Sequence, residues 1–192
     1  MILPTPKIEK AIRKAAFLHR GQTRKDDERT PYVMHPFCVA LILINYTDNE
    51  DVIAAGLLHD TVEDNHSYSL KELDRDFGVG VYRIVEEVTL VFKNKTRENW
   101  LERKKLYLRH LDQASIEGLM VCAADKLHDM RTTIFAYRRQ GDKLWKKFRG
   151  TPQQKSWFYQ EIYEILKKRL NNPIVDEYRR TLAAWKKISS QY

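Results

Sequence analysis

Apolar residues recur at helical spacing along almost the whole chain, and only seven glycines and six prolines interrupt them in 192 residues. A 3.6-residue period lays positions i, i+3, i+4 and i+7 on one face, and each such face needs a partner to cover it. In "TPKIEKAIRKAAFLHR" that stripe is Ile8, Ala11, Ile12, Ala15 and Phe17/Leu18; Thr5 is placed to cap the helix, Pro6 suits its first turn, and Gly21 ends it. The same reasoning predicts helices over "HPFCVALILINY", "NEDVIAAGLLHDTVED", "SLKELDRDFG", "GVYRIVEEVTLVF", "WLERKKLYLRHL", "SIEGLMVCAADKLHDMRTTIFAYRR", "DKLWKKF", "TPQQKSWFYQEIYEILKKRL" and "PIVDEYRRTLAAWKKI". Ser69, with Glu72 three residues on, has the form of a capping box, and Ser115 opens the longest helix. β-Branched residues fall inside helical periods, so no strand set is expected. The expected architecture is an all-α single domain over residues 1–192, a helical bundle with a motif-bearing core over 7–170 and a C-terminal helix over 173–189.

No apolar run approaches the roughly 20 residues that span a bilayer, and "MILPTPKIEK" lacks the apolar stretch of a signal peptide. A cytoplasmic location and no membrane partner are therefore expected. Cys38 and Cys122 both lie in apolar contexts with no CxxC spacing, which predicts buried, reduced thiols. Charge is uneven: residues 1–96 hold 13 Lys and Arg against 15 Asp and Glu, and residues 97–192 hold 21 against 11. The basic half admits a nucleic acid, an anionic surface or a polyphosphate, and equally a solvated helix surface, since the charge is spread along helical patterns.

The stretch "GLLHDTVED" ends an apolar run in His59, Asp60, Glu63 and Asp64. On a continuous helix His59 shares a face with Glu63, and Asp60 with Asp64. An exposed helix end with a fortuitous histidine would read the same way. Two further positions add weight. His35 stands beside Pro36 at the start of a helix, and Asp125 follows the apolar run "MVCAAD". A carboxylate facing a core is costly unless it is paired or bound to a metal. His35, His59, Asp60 and Asp125 make a mixed nitrogen and oxygen set suited to a divalent cation such as manganese, iron or zinc with open positions. Glu63 and Asp64 lie one turn further on, where they could orient or deprotonate a water and protonate a leaving group.

This H…HD…D order resembles the HD superfamily of metal-dependent phosphohydrolases. The segments "FLHRGQTRKDDERTPYVMHPFCVALIL", "AAGLLHDTVEDNHSYSLKELDRDFG", "VEEVT" and "AADKLHDMRT" resemble, in order, motifs of the RelA/SpoT hydrolase domain. Chain length and the "RKDDERTPY" loop are similar to the stand-alone small alarmone hydrolases of the metazoan SpoT-homologue type. The resemblance implies an HD-type bundle with the metal site at its centre, and Mn²⁺ on His35, His59, Asp60 and Asp125. It implies Glu63 and Asp64 as catalytic residues, and hydrolysis of the 3′-pyrophosphate of (p)ppGpp to pyrophosphate and GDP or GTP. The implied partner is a small nucleotide rather than a nucleic acid. By the same resemblance Arg24 and Lys25 contact the nucleotide, and Lys155 and Tyr159 match a family Arg and Tyr pair.

Two positions depart from the family pattern. Lys155 replaces an arginine, which removes a bidentate phosphate grip. Asp129, in "HDMR", replaces an asparagine that lines the nucleotide pocket; an ionised aspartate only accepts hydrogen bonds and repels phosphate. Hydrolysis of another nucleotide, such as NADPH or an adenosine alarmone, therefore stays open, as does a non-catalytic domain that binds nucleotide or nucleic acid. His128 reads as a packing residue, His19, His66 and His110 as surface or core residues, and Trp145, Phe148, Trp157, Phe158 and Tyr159 mostly as core.

Overall fold

The computed structural model describes residues 5–24, 29–65, 67–90, 92 and 96–190. These form helices α1 (Pro6–Leu18), α2 (Met34–Leu43), α3 (Glu50–Leu58), α4 (Thr61–Asp64), α5 (Leu70–Val88), α6 (Trp100–Leu111), α7 (Ile116–Gln140), α8 (Pro152–Arg169) and α9 (Ile174–Ser189). Among the described residues the only β feature is an isolated bridge between Thr23 and Pro31, and no helix is long and apolar enough to cross a membrane. The architecture is all-α.

The helix starts follow local chemistry. Thr5 accepts from the Ile8 amide and Ser115 from the Gly118 amide, while Ser69 with Glu72 and Thr151 with Gln154 form full capping boxes. Three expected boundaries differ. "SLKELDRDFG" and "GVYRIVEEVTLVF" join into the single helix α5, kinked where Gly78 takes φ +82°, and it ends at Val88, short of the expected Phe92. "DKLWKKF" falls, up to Lys147, in a 3₁₀ helix, Gly141–Lys147, that begins where Gly141 ends α7 at φ +58°. "NEDVIAAGLLHDTVED" breaks between Leu58 and Thr61 for a reason that belongs to the site.

Helices α3 and α7 form the centre. Residues 52–58 of α3 and 118–125 of α7 are buried without interruption, so both helices are covered on nearly every side. Helices α1, α2 and α5 pack around α3, and α2, α5, α8 and α9 around α7. Gly56 lets α3 lie close on α2: a Cβ there would stand 2.5 Å from Leu43 Cδ1, in a fully buried side chain. Cys122 is buried and Cys38 only partly so; both are free thiols.

Helix α9 shares this core. Tyr178 and Trp185 are fully buried, with the Trp185 indole edge-on to Tyr159 at 4.9 Å and to Trp145 at 5.8 Å. Its Nε1–H donates to Ser156 Oγ at 2.9 Å, so the polar edge is satisfied. Trp185→Ala should cost about 3–5 kcal/mol, the range for removing a large aromatic from a packed core. A urea titration reads this as a lower midpoint at unchanged slope.

Candidate metal centre and catalytic cleft

Three segments deliver polar groups to one point. The first is the loop between α1 and α2. The Arg24 amide donates to the Thr30 carbonyl at 2.8 Å and the Tyr32 amide to the Gln22 carbonyl at 2.9 Å. This clasp returns the chain so that Tyr32 and then His35 enter α2 beside the centre. The second segment is the end of α3, whose last carbonyls need donors. Side chains supply them: His59 Nδ1–H to Gly56 O at 2.9 Å, Thr61 Oγ–H to Leu58 O at 2.6 Å, and Thr89 Oγ–H to His59 O at 3.2 Å. The helix stops at Leu58, and His59 and Asp60 form the junction to α4. The expected pair of columns on a continuous helix is thus interrupted, although the Asp64 amide still reaches Asp60 O at 2.9 Å. The third segment is the middle of α7, which carries Asp125.

The four side chains converge. His35 Nε2 lies 3.2 Å from Asp125 Oδ1 and 3.5 Å from Asp60 Oδ2; His59 Nε2 lies 3.3 Å from Asp60 Oδ1 and 3.8 Å from Asp125 Oδ1. Tyr32 donates its hydroxyl to Asp60 Oδ2 at 2.7 Å. Because His59 Nδ1 donates to a carbonyl, its Nε2 carries the lone pair when the ring is neutral. That Nε2 is buried and has no hydrogen-bond partner. A lone pair aimed at two carboxylates is unfavourable unless a proton or a cation stands between them.

Without a metal, the proton takes that place. Burial opposes charge on His59, but Asp60 and Asp125 win and raise it to about 9. Burial likewise opposes ionised Asp60 and Asp125; His59 and His35 hold Asp60 below the usual carboxylate range, and Lys126 with the two imidazoles does the same for Asp125. Donor atoms of His35, His59 and Asp125 all lie within 4.8 Å of one another. The nitrogen and oxygen set and the orphaned Nε2 fit a divalent cation.

Beside the centre lies a small cleft. His59 and the carboxylates of Asp60, Glu63 and Asp125 line it, as do the cations Arg103, Lys104 and Lys126, together with Tyr107, Val88, Leu90 and Phe92. Burial, with the like charges of Lys126 and Lys155, pushes the Lys104 ammonium down to about 7. Its Nζ sits 4.5 Å over the Phe158 ring. Lys126 is bonded to Asp125. Glu63 acts on Arg103 and Lys104, whereas Asp64 acts on Tyr32 and its carbonyl accepts from Gln22 Nε2 at 3.1 Å. Of the two carboxylates, Glu63 lines the cleft, whereas Asp64 lies toward Tyr32 and Gln22.

The other expected contact residues scatter more. Arg24 Nη2 pairs with Asp129 Oδ1 at 3.3 Å, and its guanidinium lies 5.6 Å from the Tyr32 ring centroid. Lys155 Nζ lies over Phe148 at 4.5 Å and near Tyr159 and Trp185. Tyr159 is buried in the core against Trp185. Lys25 and His66 lie outside the described residues. His19 is buried with Nδ1 at 2.7 Å from Gln22 Oε1, and His110 Nε2 meets the Glu86 carbonyl at 3.0 Å. Sequence reasoning missed Tyr32, Arg103, Lys104 and Lys126. For α6 a signal was present: Arg103 and Lys104 share a helical stripe with Trp100, Tyr107 and Leu111, so the charge falls on the side that must be buried.

A bundle that brings a histidine from α2, a His-Asp pair from the end of α3 and an aspartate from α7 around one point is an HD-type domain. The HD domain family matches residues 11–151, and the chain belongs to that family. Among its relatives, guanosine-3′,5′-bis(diphosphate) 3′-pyrophosphohydrolase MESH1 of Xenopus tropicalis is 43% identical over 126 residues, 65% of this chain and 68% of that protein. MESH1 of Mus musculus is 36% identical over 164 residues, 78% of this chain and 89% of that protein. A solved metazoan orthologue of SpoT, a protein that hydrolyses ppGpp and plays a role in starvation responses, superposes with a TM-score of 0.79 at 28% identity, covering 95% of this chain and 97% of that one.

A divalent ion must displace the His59 proton, which is held up to about pH 9. Affinity for Mn²⁺ should therefore fall as pH drops, by about tenfold per unit well below that value, as measured by titration calorimetry. Mn²⁺ at about 100 times its Kd should stabilise the fold by about 2.7 kcal/mol. Asp60→Ala should remove both effects.

Proposed function

We propose that the chain is a metal-dependent 3′-pyrophosphohydrolase of (p)ppGpp, with Mn²⁺ as its ion. The observation that carries this reading is the convergence of His35, His59, Asp60 and Asp125 beside a cleft that Arg103, Lys104 and Lys126 also line. The names borne by its relatives agree. The reaction adds water across the bond between the 3′-oxygen and its phosphorus. Pyrophosphate leaves with the water oxygen, and the nucleoside keeps a protonated 3′-hydroxyl. When bound, the ion supplies a Lewis-acidic charge that acidifies water and draws on phosphoryl oxygens.

The remaining work falls to side chains. Arg103, Lys104 and Lys126 hold the oxygens of the pyrophosphoryl group through charge-assisted hydrogen bonds, with the Arg103 guanidinium able to fork onto two. Glu63 and Asp64, in the short helix that follows the His59–Asp60 pair, orient the water and carry its proton. Tyr32 holds Asp60 in place. Arg24 and Asp129 meet the nucleotide, with Lys25 and Lys155 as further contacts; Tyr159, buried against Trp185, supports Lys155 from the core.

Glu63→Ala and Asp64→Ala should each retain bound Mn²⁺ yet lower kcat by about 10²–10⁴-fold. Lys104→Met should raise KM for ppGpp, because a phosphate contact is lost. Incubation with Mn²⁺ and ppGpp, followed by ion-exchange chromatography, should give pyrophosphate and GDP in equal amounts. Intact ppGpp alongside turnover of another nucleotide would sink the reading.

One observation favours that second reading, an HD hydrolase with a different nucleotide substrate. Asp129 neutralises Arg24 and offers acceptors only. Asp129→Asn frees the guanidinium, and faster turnover of guanosine alarmones in that variant would show that the aspartate has re-tuned substrate choice.

A further inference from the structure

We propose that His128 is a positioning residue for the metal centre: its Nδ1 accepts a hydrogen bond from His35 Nδ1–H and so fixes the His35 tautomer whose Nε2 lone pair faces the ion. The inference rests on the metal-dependent reading above and names a role for a histidine that sequence reasoning assigned to packing.

The two Nδ1 atoms lie 2.7 Å apart, with ring centroids 4.9 Å apart and planes tilted by 41°. Two imidazole nitrogens at that distance share one proton; none leaves two lone pairs opposed, and two set donor against donor. His35 Nε2 faces Asp60 and Asp125. A ring that ligates through Nε2 and is neutral must carry its proton on Nδ1, so His128 must be the acceptor. Its surroundings keep it fit for that role. The backbone behind it is tied by Thr132 Oγ–H to the His128 carbonyl at 3.0 Å.

His59 is held by the same logic, through Nδ1–H to the Gly56 carbonyl. Each imidazole of the centre thus has an acceptor behind it, a main-chain carbonyl for one and a neutral ring for the other. The rival arrangement is a second cation on His35, His128 and Asp129, whose donor atoms also lie within 4.8 Å of one another. Two nitrogens on one tetrahedral ion at about 2.0–2.1 Å stand roughly 3.3 Å apart, well beyond the observed separation of the pair.

The test measures Mn²⁺ affinity and stoichiometry by equilibrium dialysis on the full chain. His128→Phe keeps the ring volume and removes the acceptor; it should weaken binding by about 10–100-fold. His128→Asn places an amide oxygen near the old Nδ1 position and should bind within a few-fold of the unaltered chain. Equal affinity in His128→Phe overturns the proposal, as does a second Mn²⁺ per chain that the substitution removes, or no affinity in the unaltered chain. If the unaltered chain binds Mn²⁺ but hydrolyses no nucleotide, the functional reading fails while the His128 result stands by itself. Should His128→Phe not fold, two-bond ¹H–¹⁵N spectra of the Zn²⁺-loaded chain decide. Protonated Nδ1 on His35 with bare Nδ1 on His128 supports the proposal, and the reverse overturns it.

Discussion

Two carboxylates and two imidazole nitrogens cannot stand with each imidazole nitrogen 3.2–3.8 Å from both carboxylates in a buried space unless positive charge lies between them. Everything else in the molecule serves to hold that arrangement against its own repulsion. The proton on His59 supplies such charge in the metal-free state, and a divalent ion would supply more, giving the orphaned His59 Nε2 a partner.

Holding the arrangement requires the helices to end and approach in particular ways. Gly56 lets α3 settle on α2, which brings His35 and His59 to 5.2 Å between ring centroids. His59, Thr61 and Thr89 take the carbonyls at the end of α3, so the chain can turn there without leaving acceptors bare. Asp125 sits mid-helix on α7, where its backbone is fully bonded and only the carboxylate has to find partners. A ligand on such a rigid, enclosed helix has little freedom to drift. The cost of burying the carboxylate is offset by Lys126 and the two histidines.

Much of this was legible in the sequence because it depends on local rules. Thr5, Ser69, Ser115 and the 3.6-residue stripe of α1 mark helices at positions where the structure has them. The convergence of His35, His59, Asp60 and Asp125 was legible for a different reason: ionisable groups stood where the apolar pattern demanded burial. The same rule applied to α6 would have flagged Arg103 and Lys104, but in "LERKKLYLRH" charge is dense enough to hide which lysine or arginine lies on the inward stripe. Tyr32 and the Arg24–Asp129 pair were not legible. Their contacts depend on how the loop between α1 and α2 is clasped across Thr23 and Pro31, a long-range matter that no periodicity records. The break at Leu58 was hidden too, since it arises from side-chain hydrogen bonds rather than from a glycine or proline.

Cations and carboxylates that line one cleft would collapse into ion pairs if the side chains were free, and such a cleft would close. Here Lys126 already bonds Asp125, and Glu63 acts on Arg103 and Lys104 without closing the gap. Lys104 is held instead over the rings of Phe158 and Tyr107, which attract its ammonium without donating an anion. Burial and the like charges of Lys126 and Lys155 lower its affinity for a proton, against the pull of Glu63 and Asp125. The cleft thus holds carboxylates and cations together, which is the electrostatic setting that the proposed metal-assisted hydrolysis of a phosphate ester requires.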